Sequence, residues 1–303
     1  MGPGRSPCSS RPGTTFCSRR STPTVRPHPP PTNGKKLILP RDIEVVRKRV
    51  KAILALREEY RRAMDCQIVH DSYHARGFTD SYLLEVRGEV VGYGSLAGDP
   101  SPPREIVKEF YVVPDHRQDA LMLFRALVLV ARPRWIEAQT NDPFLMPPLL
   151  ACATGHVSDR VLFSEGVSTD LTAPGVVFRP VTNADRRRVF PHTLEPIGDW
   201  ALDLNGEVVA TGGLMFHYNP PYGDIYMEVA EAHRRRGYGS YLVQRLKRLC
   251  REMGCRPAAR TSIDNVASRR TLERAGMLSC AQITRGAVVN RTETSRARRE
   301  DHL

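Results

Sequence analysis

Hydrophobic residues along this chain fall into short alternating runs and into longer stretches with helical spacing, and one alternating pattern occurs twice. Residues 82–96 read YLLEVRGEVVGYGSL, and residues 200–214 read WALDLNGEVVATGGL. The two segments align without a gap at an offset of 118 residues. Each predicts two strands joined by a two-residue turn, Arg-Gly in the first copy and Asn-Gly in the second. Asn-Gly is favoured in such turns because both positions need a positive φ.

The likeness between the two copies continues beyond these hairpins. Residues 110–117 (FYVVPDHR) parallel residues 227–234 (MEVAEAHR), with His116 opposite His233. A chain of 303 residues has room for about two domains, so we predict two copies of one domain. The predicted parts are a disordered basic Pro/Ser-rich segment at 1–37, a first domain at 38–170, a second domain at 171–285 and a charged tail at 286–303.

A helix is predicted to begin near Asp42. Asp is a favourable N-cap residue, Pro40 precedes it, and Glu44 suits the first turn of a helix. The apolar residues that follow recur at helical spacing. They are Ile43, Val46, Val50, Ile53, Leu54 and Met64.

The second copy contains a segment with the features of a phosphate-binding site. A predicted strand at 225–229 leads into RRRGYGS at 234–240, and a helix follows. Gly237 and Gly239 let the backbone approach a ligand closely and adopt unusual φ values. The first N–H groups of the helix have no internal partner and, with the helix dipole, favour a bound phosphate. The apolar face of this helix is predicted to carry Leu242, Leu246, Leu249 and Met253.

With its surroundings, this segment resembles the GNAT family of acyl-CoA N-acyltransferases. The R-x-x-G-x-G motif stands between a strand and a helix, and N-x-x-S at 265–268 and A-G-M at 275–277 follow it. The hairpin at 200–214 falls where that family has its central hairpin, and residues 175–181 read like its opening strand. The resemblance covers residues 175–284. It implies an α+β fold of two tandem GNAT-like domains, each a mixed, largely antiparallel sheet flanked by helices.

The resemblance also implies how the acyl donor binds. The co-substrate is acetyl-CoA, which gives its acetyl group to an amine by direct attack in a ternary complex, without a metal. Val229 offers its backbone N–H to the thioester carbonyl, and Asn265 and Ser268 hold the pantetheine arm. The pyrophosphate is wrapped by Arg234, Arg235, Arg236, Gly237, Tyr238, Gly239 and Ser240.

Direct attack needs a base that deprotonates the ammonium group of the acceptor. Glu228 lies on the strand that lines the cleft in this family, and it is the predicted base. Tyr226 and Asp224 share its face by the two-residue period of a strand, so both remain alternatives.

One departure from the family pattern concerns the leaving thiolate. Leu272 stands where the family often has the tyrosine that protonates it. The proton then comes from a water, Tyr238 or Tyr241, or the thiolate leaves unassisted. This departure keeps a second function open, a non-catalytic module that binds acyl-CoA or regulates another protein. The acceptor amine and the oligomeric state do not follow from the sequence.

The first copy has lost the phosphate-binding segment. Residues 117–122 read RQDALM where the second copy has RRRGYG, so both glycines are replaced and Asp119 adds a negative charge. Pro147-Pro148 is expected to prevent a normal helix later in this copy. We therefore predict one CoA per chain, bound by residues 171–285. Expressed alone, these residues are expected to bind CoA but to lose acceptor selectivity or solubility, because an interface is uncovered. The first copy is expected to be a structural partner that walls the acceptor cleft.

Composition limits the remaining possibilities. The formal charge is +12, but residues 1–40 carry seven Lys or Arg and no acidic residue, so much of it lies outside the folded part. Binding of nucleic acid is therefore disfavoured. The scattered cysteines and the absence of a long apolar stretch disfavour a zinc site, a disulfide framework and a membrane span. A cytoplasmic enzyme is expected, although the Arg- and Ser-rich start also fits a transit peptide or a start codon assigned too far upstream.

Overall fold

The computed structural model describes residues 42–98 and 103–289. The described strands form one mixed, largely antiparallel sheet of twelve strands, and helices pack against it. The segment predicted to be disordered (1–37) and most of the predicted tail (286–303) lie outside the described residues. Among the described helices, none is long and apolar enough to cross a membrane.

The first half of the described chain alternates strands and helices. In chain order its elements are β1 (Ile43–Lys48), a 3-10 turn (Val50–Ile53), α1 (Leu54–Ala63), α2 (Asp71–Ala75), β2 (Thr79–Val86), β3 (Glu89–Ala97), β4 (Ile106–Val112), a second 3-10 turn (Pro114–Asp119), α3 (Ala120–Ala131), β5 (Trp135–Gln139), α4 (Met146–Cys152) and β6 (Ala153–Glu165). Strands β1 to β5 are neighbours in the sheet, and they pair antiparallel except for the parallel pair β4 and β5.

The second half repeats this arrangement. Its elements are β7 (Val176–Pro180), α5 (Asn183–Arg186), β8 (Trp200–Leu204), β9 (Glu207–Met215), β10 (Tyr222–Val229), a 3-10 turn (Glu231–His233), α6 (Tyr238–Glu252), β11 (Arg256–Ser262), α7 (Val266–Arg274) and β12 (Met277–Val288). Strands β7 to β11 are again neighbours, and only β10 and β11 pair in parallel. The internal repeat seen in the sequence is thus a repeat of structure.

The two halves exchange their last strands. The sheet order is β1-β2-β3-β4-β5-β12-β6-β11-β10-β9-β8-β7. Strand β6 of the first half pairs antiparallel with β11 of the second half, and β12 of the second half pairs antiparallel with β5 of the first. Strands β6 and β12 also pair with each other. Each half therefore completes the sheet of the other half.

Each half also has its own hydrophobic core. In the first half, α3 packs on β1, β2 and β4. In the second half, α6 packs on β9 and β10 and buries Leu242 and Leu246 completely. Leu249 is partly buried, whereas Met253 is 52% exposed. The apolar face predicted for this helix therefore ends one turn earlier than the sequence spacing indicates.

Both predicted hairpins are present. Arg87 and Gly88 join β2 to β3 with φ values of 53° and 83°, and Asn205 and Gly206 join β8 to β9 with φ values of 53° and 88°. Two consecutive positive φ values are those of a type I′ turn, whose twist matches that of the flanking strands. In the second turn, Asp203 Oδ1 accepts the Gly206 N–H at 2.7 Å.

The prediction that a helix begins near Asp42 is wrong. Residues Ile43–Lys48 form the edge strand β1, which pairs antiparallel with β2, and the α-helix begins only at Leu54. The sequence of β1, IEVVRK, contains three β-branched residues, which favour extended backbone. Pairing with β2 therefore outweighs the capping signal at Asp42.

The expectation that Pro147-Pro148 prevents a helix is also wrong. Helix α4 begins at Met146, so both prolines lie in its first turn. Proline is tolerated there because the N–H group that it lacks would have no partner within the helix.

A buried ion pair lies at the centre of the first half. The Glu109 side chain on β4 is 1% exposed and accepts hydrogen bonds from Arg57 of α1 at 2.7 and 2.8 Å. His74 and Tyr93 contact the same carboxylate, each at 3.1 Å. Burial acts to raise the pKa of Glu109, but the bonds from His74 and Arg57 hold that pKa well below its usual range. This carboxylate therefore ties α1 and α2 to the sheet.

Replacing Glu109 by Gln should lower the free energy of unfolding by about 3–5 kcal/mol, because Arg57 would keep a buried charge without its counter-charge. Equilibrium denaturation in urea measures the change. Glu58→Gln on the same helix is the matched control, since its ion pair with Arg62 is exposed (60% and 71%) and should contribute no more than about 0.5 kcal/mol. Equal effects of the two substitutions would contradict the prediction.

The strand exchange changes what is expected of the separated halves. A fragment beginning at residue 171 lacks β6, so β11 and β12 would each expose a row of unpaired backbone groups. We expect the halves 38–170 and 171–289 to aggregate when expressed singly and to co-purify as a 1:1 complex when expressed together. Size-exclusion chromatography measures this. A monomeric, well-folded C-terminal fragment would contradict the prediction.

Candidate functional site

Strands β10 and β11 separate part-way along their length. They pair in parallel only from Tyr222↔Arg256 to Asp224↔Ala258. Beyond this point β11 pairs with β6 on its other side, whereas β10 stays paired with β9 as far as Val229. The two strands therefore enclose an open wedge, defined here by β10 and β11, with its apex at Asp224 and Ala258.

The wedge side of β10 carries backbone groups that have no strand partner. Ala230 donates its N–H to the Val209 carbonyl of β9 at 3.0 Å. Successive residues of a strand point their backbone groups to opposite sides, so Ile225, Met227 and Val229 direct theirs toward β11. The last ladder pair, Asp224↔Ala258, places the Ile225 N–H against the Ala258 carbonyl. Met227 and Val229, the second of which is predicted to bind the thioester carbonyl, therefore lie beyond the paired part of the strand.

At the open end of the wedge, β10 leads into the predicted phosphate segment. Arg235 and Gly237 have positive φ values, 65° and 86°, and turn the chain sharply before α6. Gly237 is the N-cap of this 15-residue helix, no side chain caps it, and the first turn contains no acidic residue. The first N–H groups of α6 are therefore free to bind an anion.

The two glycines of this segment have different roles. At Gly237, a Cβ atom would meet only Arg274 Nη2, at 3.9 Å, so what this position requires is its positive φ. At Gly239, a Cβ atom would lie 3.0 Å from Thr271 Cγ2 and 3.4 Å from side-chain atoms of Met227 and Val229. Gly239 thus permits close packing of α6 on α7 and β10. The role in ligand approach that the sequence indicates for Gly239 stays a prediction.

Four arginines surround the segment. Arg234 Nε donates to the Val229 carbonyl at 3.2 Å, and Arg235 and Arg236 are exposed. Arg274 reaches the N-cap glycine from the end of α7. Arg274 is not predictable from the motif, because it lies outside the glycine-containing segment and only the packing of α7 on α6 brings it there.

The remaining residues predicted to hold the donor lie at the ends of two helices. Asn265 is the N-cap of α7, and its Oδ1 accepts the Ser268 N–H at 3.0 Å. The Ser240 hydroxyl donates to the Thr271 carbonyl at 3.1 Å, so only the backbone of Ser240 remains for a ligand. Tyr238 packs against the core of the second half.

The first copy does not form the same loop. Its N-cap Asp119 has a φ of −93°, and none of the residues 114–122 has a positive φ. Arg117, the counterpart of Arg234, stacks on Phe144 with its guanidinium carbon 5.1 Å from the ring centroid. In the first copy the backbone lacks the sharp turn before the helix, and the arginine contacts an aromatic ring. Both differences fit the predicted loss of the phosphate site.

Glu228 holds a loop in place. Its carboxylate accepts the backbone N–H groups of Thr193, Leu194 and Glu195 and the Thr193 hydroxyl, at 3.1 to 3.3 Å. Burial opposes ionisation, but the bonds from this loop lower the pKa of Glu228 below its ordinary value. A carboxylate with these partners is a weak proton acceptor, so the contacts favour a positioning role for Glu228.

Asp224 lies at the apex of the wedge and is 6% exposed. Burial raises its pKa to about 7, although Arg260 on β11 acts to lower it. His217 Nε2 lies 3.4 Å from Asp224 Oδ2. The buried Tyr218 hydroxyl lies beside the carboxylate without a well-aligned hydrogen bond to any described residue. Glu195 is near as well, and burial raises its pKa. Asp224 can therefore exchange a proton near neutral pH.

Two further positions considered in the sequence, Tyr226 and Leu272, do not face the wedge. Tyr226 lies over Gly213 of β9, where a Cβ atom would be 2.7 Å from the Tyr226 hydroxyl. Its ring therefore leans away from the wedge. Leu272 is buried in the core of the second half, so α7 presents no hydroxyl at that position. No group of three or more metal-ligating side chains occurs in the described part of the chain.

The first half forms one wall beside the apex. Ile68 packs with Tyr218 and Tyr222 of the second half. The Tyr222 hydroxyl donates to Asp65 Oδ1 at 2.7 Å. Residues 65–68 thus lie against the loop and strand that carry the Asp224 cluster, so the degenerate copy contributes directly to this surface.

Comparison with known proteins agrees with this geometry. Residues 173–277 match the acetyltransferase (GNAT) family. The chain is similar to a GNAT-family acetyltransferase from Colwellia psychrerythraea, with 13% identity and a TM-score of 0.62 over 82% of this chain and 100% of that one. It is also similar to a tandem GNAT protein from the clavulanic acid biosynthesis pathway, with 12% identity and a TM-score of 0.54 over 82% and 99% of the two chains. Comparison of the sequence with curated proteins gives no match.

The chain therefore carries a GNAT domain at residues 173–277, preceded by a second, GNAT-like region in its first half. The tandem fold predicted from the sequence is confirmed. Binding of acyl-CoA and acyl transfer to an acceptor are properties of the GNAT family, and the match of residues 173–277 to it supports the function proposed below.

Gly237→Asp should abolish the increase in melting temperature that acyl-CoA produces, because the new carboxylate would face the pyrophosphate. In the parent, saturation at about 100 times Kd should stabilise the fold by about 2.7 kcal/mol. Gly254→Asp is the matched control, since Gly254 also has a positive φ (75°) and open space around it but lies beyond the other end of α6. Loss of the shift in both variants, or in neither, would mean that the donor binds elsewhere.

Proposed function

We propose that this protein is an N-acetyltransferase that transfers the acetyl group of acetyl-CoA directly to an amine. The observation that carries the proposal is the protonatable carboxylate of Asp224 at the apex of the wedge, next to backbone groups that lack partners. Acyl-CoA chemistry is given by the GNAT fold. The acetyl donor, the amine acceptor and the roles of individual residues belong to the proposal.

The pyrophosphate would bind at the N-terminus of α6, and the pantetheine arm would lie along the free edge of β10. The N–H group of Met227 or of Val229 would then donate to the thioester oxygen as negative charge develops on it. The thioester would end near the apex, beside Asp224. The free backbone edge supports this path because it is the one stretch of β10 that β11 leaves open.

Asp224 is better suited than Glu228 to act as the base. It takes a proton from the ammonium group, the amine nitrogen attacks the thioester carbon, and the C–S bond breaks as the amide forms. The attacking nitrogen loses its second proton as the amide forms, and the thiolate gains one proton, either this one or one from a nearby donor. The Tyr218 hydroxyl beside Asp224 is such a donor, in addition to the water, Tyr238 and Tyr241 considered above.

A second function, binding of acyl-CoA without turnover, is favoured by one observation. Leu272 is buried where the family often has its proton donor. Release of free CoA thiol from acetyl-CoA in the presence of amines distinguishes the two functions. All five cysteines in the described residues are free thiols, which supports the proposed cytoplasmic compartment.

Asp224→Asn should abolish amine-dependent CoA release while leaving the CoA-induced increase in melting temperature intact. In the parent, kcat/KM should rise with pH through about 7, because the base must be deprotonated to act. Steady-state rates from pH 5.5 to 9 measure this. Glu228→Gln should impair turnover through the loop and leave the apparent pKa of the profile unchanged. A profile that keeps its rise near pH 7 in Asp224→Asn would assign the base to another group.

The same substitution should stabilise the fold at high pH. The pKa of Asp224 is raised from an ordinary 3.8 to about 7, so the stability that its proton contributes is lost as pH rises through this range. Asn cannot ionise, and we expect Asp224→Asn to raise the melting temperature at pH 8 by roughly 2–8 °C and to change it little at pH 4. Thermal unfolding at both pH values tests this. Destabilisation at pH 8 would contradict the raised pKa.

A further inference from the structure

Arg260 occupies the arm of the wedge opposite the carboxylates. Ala258 is paired with Asp224 at the apex, so its side chain lies on the same face of the sheet. Arg260 follows two residues later and therefore returns to that face. Across the wedge, Tyr226 and Glu228 continue from Asp224 on the same face by the same period. A cation on β11 thus stands opposite the acidic side chains of β10.

The Arg260 guanidinium has no carboxylate partner within 4.0 Å among the described residues. It is exposed, and its central carbon lies 5.9 Å from the Tyr218 ring centroid. By contrast Arg256, on the same face of the same strand, is 3.1 Å from Asp65. A guanidinium with open hydrogen-bonding sites at a cleft is suited to a planar anion, which it binds with two parallel bonds.

The surroundings of Asp224 and Arg260 explain why the two side chains do not form a simple ion pair. Asp224 is buried and its pKa is raised to about 7, so it is only partly ionised at neutral pH, whereas Arg260 is exposed and always charged. The buried Tyr218 hydroxyl lies at the apex beside Asp224, and its ring lies under the Arg260 guanidinium. The apex therefore offers a proton acceptor, and the arm of β11 offers a cation near enough to lower the pKa of that acceptor.

This arrangement is complementary to a molecule that carries an amino group and a carboxylate only a few bonds apart. We infer that the acceptor is an amino acid or a closely similar small amino-carboxylate, with its nitrogen at Asp224 and its carboxylate on Arg260. The inference rests on the proposed N-acetyltransferase function and adds the class of acceptor to it. A simple amine would leave the Arg260 guanidinium without a partner in the complex.

The test compares amino acids with the amines that lack only the carboxylate, such as phenylalanine with phenethylamine and lysine with cadaverine. Full-length protein, acetyl-CoA and a thiol-reactive dye report CoA release. For at least one pair, the parent should use the amino acid with a kcat/KM at least 10-fold higher. Arg260→Gln should lower that value by about 10- to 100-fold, mainly through KM, because a charge-assisted bond is lost. The rates are compared at pH 9, where Asp224 is ionised in both proteins, so that the effect of Arg260 on the pKa of Asp224 does not enter. There the rate with the amine should fall far less than the rate with the amino acid, and Arg260→Lys should restore part of the activity.

Arg256→Gln is the matched control, since it removes a neighbouring exposed arginine outside the wedge and should leave the preference intact. A parent that prefers the amines, or an Arg260→Gln variant that loses activity equally with both members of a pair, would overturn the inference and leave the acetyltransferase function standing. CoA binding without thiol release from any acceptor would overturn the proposed function, and the inference with it.

Discussion

The feature on which the site depends is the change of partner by β11. For three residues β11 pairs with β10, and from Ala258 onward its hydrogen bonds go to β6. β6 pairs with the opposite edge of β11, so it keeps β11 in the sheet after β11 diverges from β10, while the edge of β11 that faced β10 is open to the wedge. Strand β6 belongs to the other half of the chain. The free edge of β10, the open wedge and the exposed N-terminus of α6 at its end all follow from this exchange.

The exchange also explains why a copy without a phosphate loop can be retained. The first half has lost the glycines and the positive φ values that the loop requires, but it keeps the strands and the buried Arg57–Glu109 pair that hold it together. It supplies β6 to the working half and places residues 65–68 against the Asp224 cluster. Its contribution is therefore to the geometry of the site, and it needs no ligand of its own.

Local signals in the sequence were sufficient for some parts of this picture. The Asn-Gly hairpin, the strand before the arginines and the free helix N-terminus each depend on a few adjacent residues, and all are present. Properties that depend on distant partners were not predictable in the same way. β1 is a strand because β2 lies beside it. The exchange of β6 and β12 is not indicated by any local sequence signal in either strand. Arg274, Arg260 and Tyr218 reach the site from separate elements, so no motif joins them.

The two carboxylates on β10 show that the chemical role of a residue also depends on distant partners that the local sequence does not indicate. Asp224 and Glu228 lie on one face of one strand, and the sequence favours Glu228 as the base with Asp224 as an alternative. In the fold, Glu228 receives three backbone N–H groups, which stabilise its charge, whereas burial of Asp224 favours its protonated form. Environments that push two pKa values apart in this way separate an anchor from an acid–base group. Because Glu228 also fixes the loop that carries Glu195, which raises the pKa of Asp224, the carboxylate that stays charged shapes the surroundings of the one that exchanges protons.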